Sequence, residues 1–97
     1  MMRDKRFCRN ERIAWRLIED EAVLLDRDEG ELLRLNPVGT EIWQGLDGRR
    51  TVGELVELIR EAFEVDRTRA EKDVLRFLSQ LARREMVEEP RGDGAGA

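Results

Sequence analysis

The chain has 97 residues, which is enough for one domain, and its 18 basic residues nearly balance 22 acidic ones. The net charge of -4 and a pI near 5.0 argue against a nucleic-acid partner, which usually binds a basic domain. Histidine is absent and Cys8 is the single cysteine, so an internal disulfide is excluded and neither a metal centre nor an enzyme active site is favoured. No stretch is apolar enough for a signal peptide or a membrane span, so we expect a cytoplasmic protein.

Composition divides the chain into three parts. Residues 1–10 read as a polar lead-in, and residues 11–88 carry the apolar periodicity of one folded domain. Residues 89–97 form a glycine-rich tail that we expect to be disordered. The structural and functional predictions therefore concern the middle part.

The first half of this domain has the sequence pattern of strands. Residues 13–18 alternate in the period of two that is typical of a strand, and residues 22–25 and 32–35 are short apolar runs between turn signals. Residues 19–20 make a short acidic turn, and Gly30 suits the positive φ that a longer hairpin loop needs. The pattern predicts a three-stranded antiparallel meander.

The second half has the helical period of 3.6. Asn36 is suited to cap a helix and Pro37 to occupy its first position, where the missing N–H would have no partner in any case. This helix is predicted to end at residues 47–48. Thr51 and Glu54 then have the spacing of a capping box, which indicates the start of a second helix.

A third helix is predicted to begin at Asp66, or at Thr68 with Glu71 as its capping partner. Phe77 lies on its apolar stripe, so we assign it to the core and expect Phe77→Ala to lower the free energy of unfolding by about 3–5 kcal/mol. Three strands followed by three helices indicate an α+β fold. The expected architecture is winged helix-turn-helix-like, with an N-terminal three-stranded antiparallel sheet.

The third strand, at residues 32–35, is short and ends the meander, so one of its edges has no predicted partner. Proteins usually protect such an edge with charged side chains, and only Glu31 and Arg34 are available here. The edge is therefore either covered in the fold or kept open for a partner strand.

The order and spacing of these segments resemble the PqqD-like family, whose fold is also called the precursor-peptide recognition element of ribosomally made, modified peptides. The resemblance runs from Ile13 to Val87, and its most specific block is residues 35–43. The other residues that carry it are 21–25, Gly30-Glu31, 46–52, Asp73-Val74, Phe77-Leu78 and Leu81.

The resemblance implies a peptide chaperone in natural-product biosynthesis, with no catalytic residue, metal or cofactor of its own. It implies that the leader segment of a precursor peptide adds as a strand to the third strand and packs against the third helix. The leader would then be presented to a modifying enzyme, often a radical S-adenosylmethionine enzyme. The residues implied at this peptide-binding site are Leu32, Leu33, Arg34, Leu35, Asp73, Arg76, Phe77 and Gln80.

The chain departs from the family at one position. Family members commonly have glycine after the third helix, where this chain has Glu85, and a left-handed turn is strained for a residue with a side chain. The expectation is that the helix either runs on or ends in a different turn.

A winged-helix DNA-binding regulator is the alternative reading, because the third helix is rich in basic residues. We favour a solvated helix face over phosphate contacts, since acidic residues outnumber basic ones in the chain, and we expect negligible sequence-specific DNA binding. An open strand edge would also allow two copies of the chain to pair as a homodimer. The basic residues are Arg67, Arg69, Lys72, Arg76, Arg83 and Arg84.

Overall fold

The computed structural model describes residues 2–90, and residues 91–97 of the predicted tail lie outside this part. Within it, two three-stranded antiparallel sheets and three α-helices form an α+β fold, so the predicted class is confirmed. The elements in chain order are a 3-10 helix (Met2–Asp4), β1 (Arg6–Arg9), β2 (Ile13–Ile18), β3 (Glu21–Asp26), β4 (Glu31–Arg34), α1 (Pro37–Gly45), β5 (Asp47–Thr51), α2 (Val52–Phe63), α3 (Arg67–Arg83) and β6 (Val87–Glu88).

The first sheet is the predicted meander, with the strand order β2-β3-β4. Glu19 and Asp20 join β2 to β3, and both have positive φ angles, of 53° and 69°. Positive φ at both turn positions is typical of the type I′ turn, whose twist matches that of the flanking strands. Gly30, with a φ of 69°, closes the longer turn before β4 as expected. The three strands thus form by local pairing alone.

The second sheet corrects the prediction that residues 1–10 are a lead-in outside the domain. β1 is the central strand of this sheet, between β5 and β6, and Cys8 lies opposite both Asp47 and Glu88. The sequence pattern conceals β1 because Phe7 is its one large apolar side chain, and Phe7 packs against the core. Residues 2–10 are therefore part of the fold.

The predicted helix starts are confirmed by their caps. The side chain of Asn36 accepts a hydrogen bond of 2.7 Å from an N–H of the first turn of α1. Thr51 and Glu54 exchange the two bonds of a capping box, at 3.1 and 2.8 Å. Asp66, the first of the two predicted starts, caps α3.

No helix within residues 2–90 is long and apolar enough to cross a membrane.

The end of α3 shows how the chain manages without glycine. Glu85 adopts the left-handed conformation, with a φ of 57°. Its N–H donates to the carbonyl of Ala82 (3.0 Å), and the N–H of Met86 donates to the carbonyl of Leu81 (2.9 Å). This pair of bonds is a Schellman motif, and the buried side chains of Met86 and Leu81 provide its usual apolar contact. The helix therefore ends in the left-handed turn despite the strain at Glu85.

We expect Glu85→Gly to raise the free energy of unfolding by about 0.5–1 kcal/mol, because glycine adopts a positive φ without a Cβ clash. Urea denaturation measures the change. Glu85→Ala is the matched control, since it removes the same charge but keeps the Cβ. An equal gain in both variants would attribute the effect to charge and contradict the strain argument.

The core lies between the first sheet and the helices and is centred on Trp43 of α1, which is fully buried. The ring of Trp15, from β2, meets it edge-on, with ring centroids 6.2 Å apart and planes at 87°. Offset or edge-on aromatic pairs of this kind stabilise a core beyond the area they bury. The contact ties the first sheet to α1, which begins directly after the loop that follows β4.

Candidate functional site

β4 forms an outer edge of the first sheet, and no strand within residues 2–90 pairs with its far side. The N–H of Leu35 donates to the carbonyl of Ala22 (2.9 Å), which fixes the alternation of hydrogen bonds between β3 and β4. Leu33 therefore directs its N–H and C=O towards β3. Leu32 and Arg34 direct theirs away from the sheet. The edge thus offers the main-chain groups of two residues to an added strand.

A groove with a volume of about 460 Å³ lies between this edge and α3. Leu33 and Phe77, both half-buried, and the buried side chain of Leu81 form its apolar floor. Apolar clefts with a few polar groups at the rim are the usual form of ligand sites in proteins. The groove therefore places apolar surface directly beside the free main-chain groups of β4.

A smaller cavity of about 250 Å³ continues the groove towards the N-terminus of α1. Asp73 and Arg76 line it, and it shares Phe77 and Gln80 with the groove. A Cβ atom at Gly39 would lie 3.1 Å from Cε1 of Phe77, so the glycine allows the ring to pack closely against α1. Phe77 is thus the junction between the two cavities.

The structure brings together seven of the eight residues predicted for the peptide-binding site, along the groove and its continuation. Leu32 is the exception, because it lines neither cavity and is 70% exposed on the opposite face of the sheet. Arg34 points to that face too but still borders the groove at the strand edge. Leu35 lines the groove but is 6% exposed and belongs mainly to the core. The roles of all eight in binding stay predictions.

Four lining residues are missing from the predicted set: Asn36, Leu81, Arg83 and Arg84. Arg83 and Arg84 belong to the basic run of α3, which we expected to form a solvated face. Nothing in the periodicity shows that the last turn of α3 lies beside β4, since this depends on where the helix ends.

Positive charge predominates along the groove. Within residues 2–90, Arg34 pairs with Glu21 and Arg84 pairs with Glu31, at 2.8 and 3.0 Å. Arg76 and Arg83 make no ion pair with any described residue. Two cationic side chains therefore lie beside the groove without an ion pair to a described residue.

Arg12 holds the β3–β4 hairpin against the end of α3. Its guanidinium donates to the buried carboxylate of Asp26 (3.3 Å) and to the main-chain carbonyls of Arg84 (2.8 Å) and Glu85 (2.7 Å). The hydrogen bond from Arg12 lowers the pKa of Asp26, and main-chain N–H groups of the hairpin turn lower it further. This ionic contact fixes the relative position of the two elements that border the groove.

Phe77 contributes both to the fold and to the groove, which revises the expectation that it is a core residue. Because its ring is half-buried, we expect Phe77→Ala to lower the free energy of unfolding by about 1–3 kcal/mol, less than a fully buried aromatic would. Affinity for a peptide in the groove should fall about tenfold, since most of the apolar floor is lost. Urea denaturation and peptide titration measure the two effects.

Leu78→Ala is the control for Phe77→Ala, because Leu78 is 4% exposed and lines neither cavity. It should reduce stability by about 2–5 kcal/mol while the folded fraction keeps its affinity. Equal affinity losses in the two variants would mean that Phe77 acts only through stability.

The described residues outside the groove include one cysteine and a further cavity. Burial, with the nearby Glu88 carboxylate, raises the pKa of the Cys8 thiol and so disfavours the reactive thiolate. No group of three or more metal-ligating side chains occurs within residues 2–90. A cavity of about 520 Å³ between the N-terminal 3-10 helix and α2 has a mostly charged lining, with Leu58 as its large apolar residue.

Comparison with protein families settles the relationship. A family profile described as PqqD, coenzyme PQQ synthesis protein D, matches residues 21–87, which is more than half of the chain. The chain belongs to the PqqD family. The matched segment of this PqqD-family chain includes β4 and α3, the two elements that border the groove. No curated protein sequence matches the chain.

Two solved structures are similar to this PqqD-family chain. The first is TbiB1 in complex with the TbiA(beta) leader peptide, at 30% identity and a TM-score of 0.75, covering 93% of this chain and 99% of the other. The second is lasso peptide synthetase B1 complexed with the leader peptide, at 27% identity and a TM-score of 0.75, covering 84% and 96%. Both likenesses extend over nearly the full length of the other protein.

Proposed function

We propose that this PqqD-family chain binds the leader segment of a ribosomally made precursor peptide and presents it to a modifying enzyme. The observation that carries the proposal is the free edge of β4 beside an apolar groove. The two similar solved structures are complexes with leader peptides, which supports a peptide as the occupant. The chain itself would supply binding and no catalysis.

The peptide would add as a strand along β4. Hydrogen bonds to the main-chain groups of Leu32 and Arg34 replace bonds to water, so each contributes a net of only about 0.5–1.5 kcal/mol. Peptide side chains that enter the groove and cover Leu33 and Phe77 must supply the rest through apolar burial. The main-chain bonds then contribute affinity for any extended peptide, and the groove adds the remaining affinity and the selectivity.

The charge of the groove favours a leader with acidic side chains. Arg76 and Arg83 have no acidic partner within residues 2–90, so carboxylates of the peptide would be their first ion pairs. Charge complementarity of this kind raises association rates and selects partners more than it raises affinity.

Delivery to an enzyme follows from tethering. A peptide held on the domain has a high effective concentration at any enzyme that the domain also binds, without a contribution to the chemical step. The radical S-adenosylmethionine type of that enzyme is a prediction from the family resemblance. The similar proteins are TbiB1, lasso peptide synthetase B1 and coenzyme PQQ synthesis protein D, and the modifying enzymes that act beside these proteins are the candidate class of partner.

Amide chemical-shift mapping tests the placement of the site. The probe is a short precursor peptide identified among the genes beside the gene of this protein, titrated into the isotope-labelled chain. We expect the largest shifts in β4 and in the face of α3 that carries Arg76, Phe77 and Gln80. Shifts concentrated in β2, β3 or α2 would place the site elsewhere, and the absence of any binding would refute the proposed function.

The same titration distinguishes the contribution of the groove's charge to peptide affinity from that of its shape. Arg76→Glu should lower the affinity for an acidic leader about tenfold and reduce its dependence on salt, because a groove cation is replaced by an anion. Lys72→Glu is the matched control, since it makes the same charge change on α3 outside both cavities. Similar losses in both variants would indicate a general electrostatic effect.

A further inference from the structure

The outer face of the first sheet, opposite the core, is apolar next to the edge of β4. The register places Ala14, Leu25 and Leu32 in one row across the three strands. Leu32 is 70% exposed and Leu25 is 37% exposed. On β2, Ile18 extends the patch with a 42% exposed side chain. A cluster of exposed large apolar side chains is typical of a contact surface.

The main chain of Leu32 links this patch to the proposed peptide. Because Leu32 directs its N–H and C=O to the free edge, a residue of an added strand would pair with it directly. Directly opposite residues point to the same face of a sheet, with Cβ atoms about 5 Å apart. The side chain of that peptide residue would therefore lie against Leu32 on the outer face and lengthen the apolar row by one position.

The size of the patch favours the peptide over a second protein surface. A stable protein–protein interface buries about 800 Å² on each partner, whereas this patch consists of a few side chains around Leu25 and Leu32. In the next row on the same face, Val23 is apolar but Arg16 and Arg34 lie on either side of it and limit the width of the patch. The apolar part is therefore wide enough for one peptide side chain beside β4 and too narrow for a dimer by itself.

We propose that the bound leader carries two consecutive apolar residues at this site, and this proposal rests on the proposed function. One side chain packs on Leu32 at the outer face, and a sequence neighbour enters the groove against Leu33 and Phe77. Strand addition alone predicts apolar residues at alternate positions, all facing the groove. The outer patch adds a second point of selection. The substrate class is therefore a peptide with two consecutive apolar residues, whose side chains point to opposite faces of the added strand.

The test compares three proteins with the adjacent-gene precursor peptide by calorimetric titration. Leu32→Ser should bind about tenfold more weakly than the unchanged chain, since it removes the outer contact and keeps the main-chain bonds. Ile18→Ser is the matched control on the same face, two strands away from β4, and should bind within about twofold of the unchanged chain. Thermal melting verifies that both variants fold.

A double-mutant cycle then assigns the contact. In the peptide, serine replaces the residue that maps opposite Leu32. This change should weaken binding to the unchanged chain and have little further effect on binding to Leu32→Ser. If the peptide still maps to β4 but binds Leu32→Ser with the same affinity as the unchanged chain, this inference is wrong and the proposed function stays intact. An equal loss with Ile18→Ser also overturns it, and failure to bind β4 at all overturns both.

Discussion

Replacing Arg34 with proline is expected to weaken binding of the leader peptide at least about a hundredfold while the domain stays folded. Proline removes the N–H that Arg34 directs to the free edge, and its ring occupies the place of the peptide carbonyl that would accept this bond. The sheet should tolerate the change because proline is compatible with edge strands whose N–H points to solvent. Titration with the adjacent-gene precursor peptide measures the effect.

Two controls define the origin of that loss. Arg34→Ala removes the ion pair with Glu21 but keeps the N–H, so it should retain most of the affinity. Leu33→Pro removes an N–H that points to β3 and should disrupt the sheet itself. If Arg34→Ala lost as much affinity as Arg34→Pro, the side chain rather than the main chain would carry the binding, and strand addition along β4 would be wrong.

Trp43→Ala should have the largest effect on stability, lowering the free energy of unfolding by about 3–5 kcal/mol. Trp43 is fully buried, and its truncation leaves a cavity next to the ring of Trp15. Small domains are stable by only about 5–15 kcal/mol in total, so a large part of the folded population would be lost at elevated temperature. Chemical denaturation followed by circular dichroism measures the change.

Trp15→Ala is the comparison for Trp43→Ala. Trp15 is half-buried and also contacts the guanidinium of Arg9, 5.2 Å from its ring centroid. Because part of its surface is already exposed, we expect a loss of about 1–3 kcal/mol. A loss for Trp15→Ala that equals or exceeds that of Trp43→Ala would mean that the core is not centred on α1.

Features that depend on neighbouring residues were predictable from the sequence. The helix starts at Asn36, Thr51 and Asp66 follow from side chains that bond to main-chain groups within three residues. The meander follows from apolar runs between turns whose residues tolerate positive φ. The lightly protected edge at β4 also followed, because strand order in a meander is fixed by connection. The positions of the individual site residues came from the family resemblance.

Features that depend on distant pairing were not predictable. The second sheet joins Cys8 to Glu88, which lie 80 positions apart, and its strands carry little apolar pattern of their own. Arg84 borders the groove because α3 ends in the left-handed turn at Glu85. Such a turn usually contains glycine, so glutamate at this position does not indicate it in the sequence.

The construction of the second sheet bears on self-association. A domain that recruits strands through an edge also exposes itself to pairing with its own copies. β6 spans two residues, and β5 carries Asp47, Arg49 and Arg50 beside an irregular register with β1, so neither is a good template for a further strand. Pairing between copies through β4 would use the same N–H and C=O groups as the leader. Peptide and self-association through β4 would therefore compete, and added peptide would displace a partner copy from this edge.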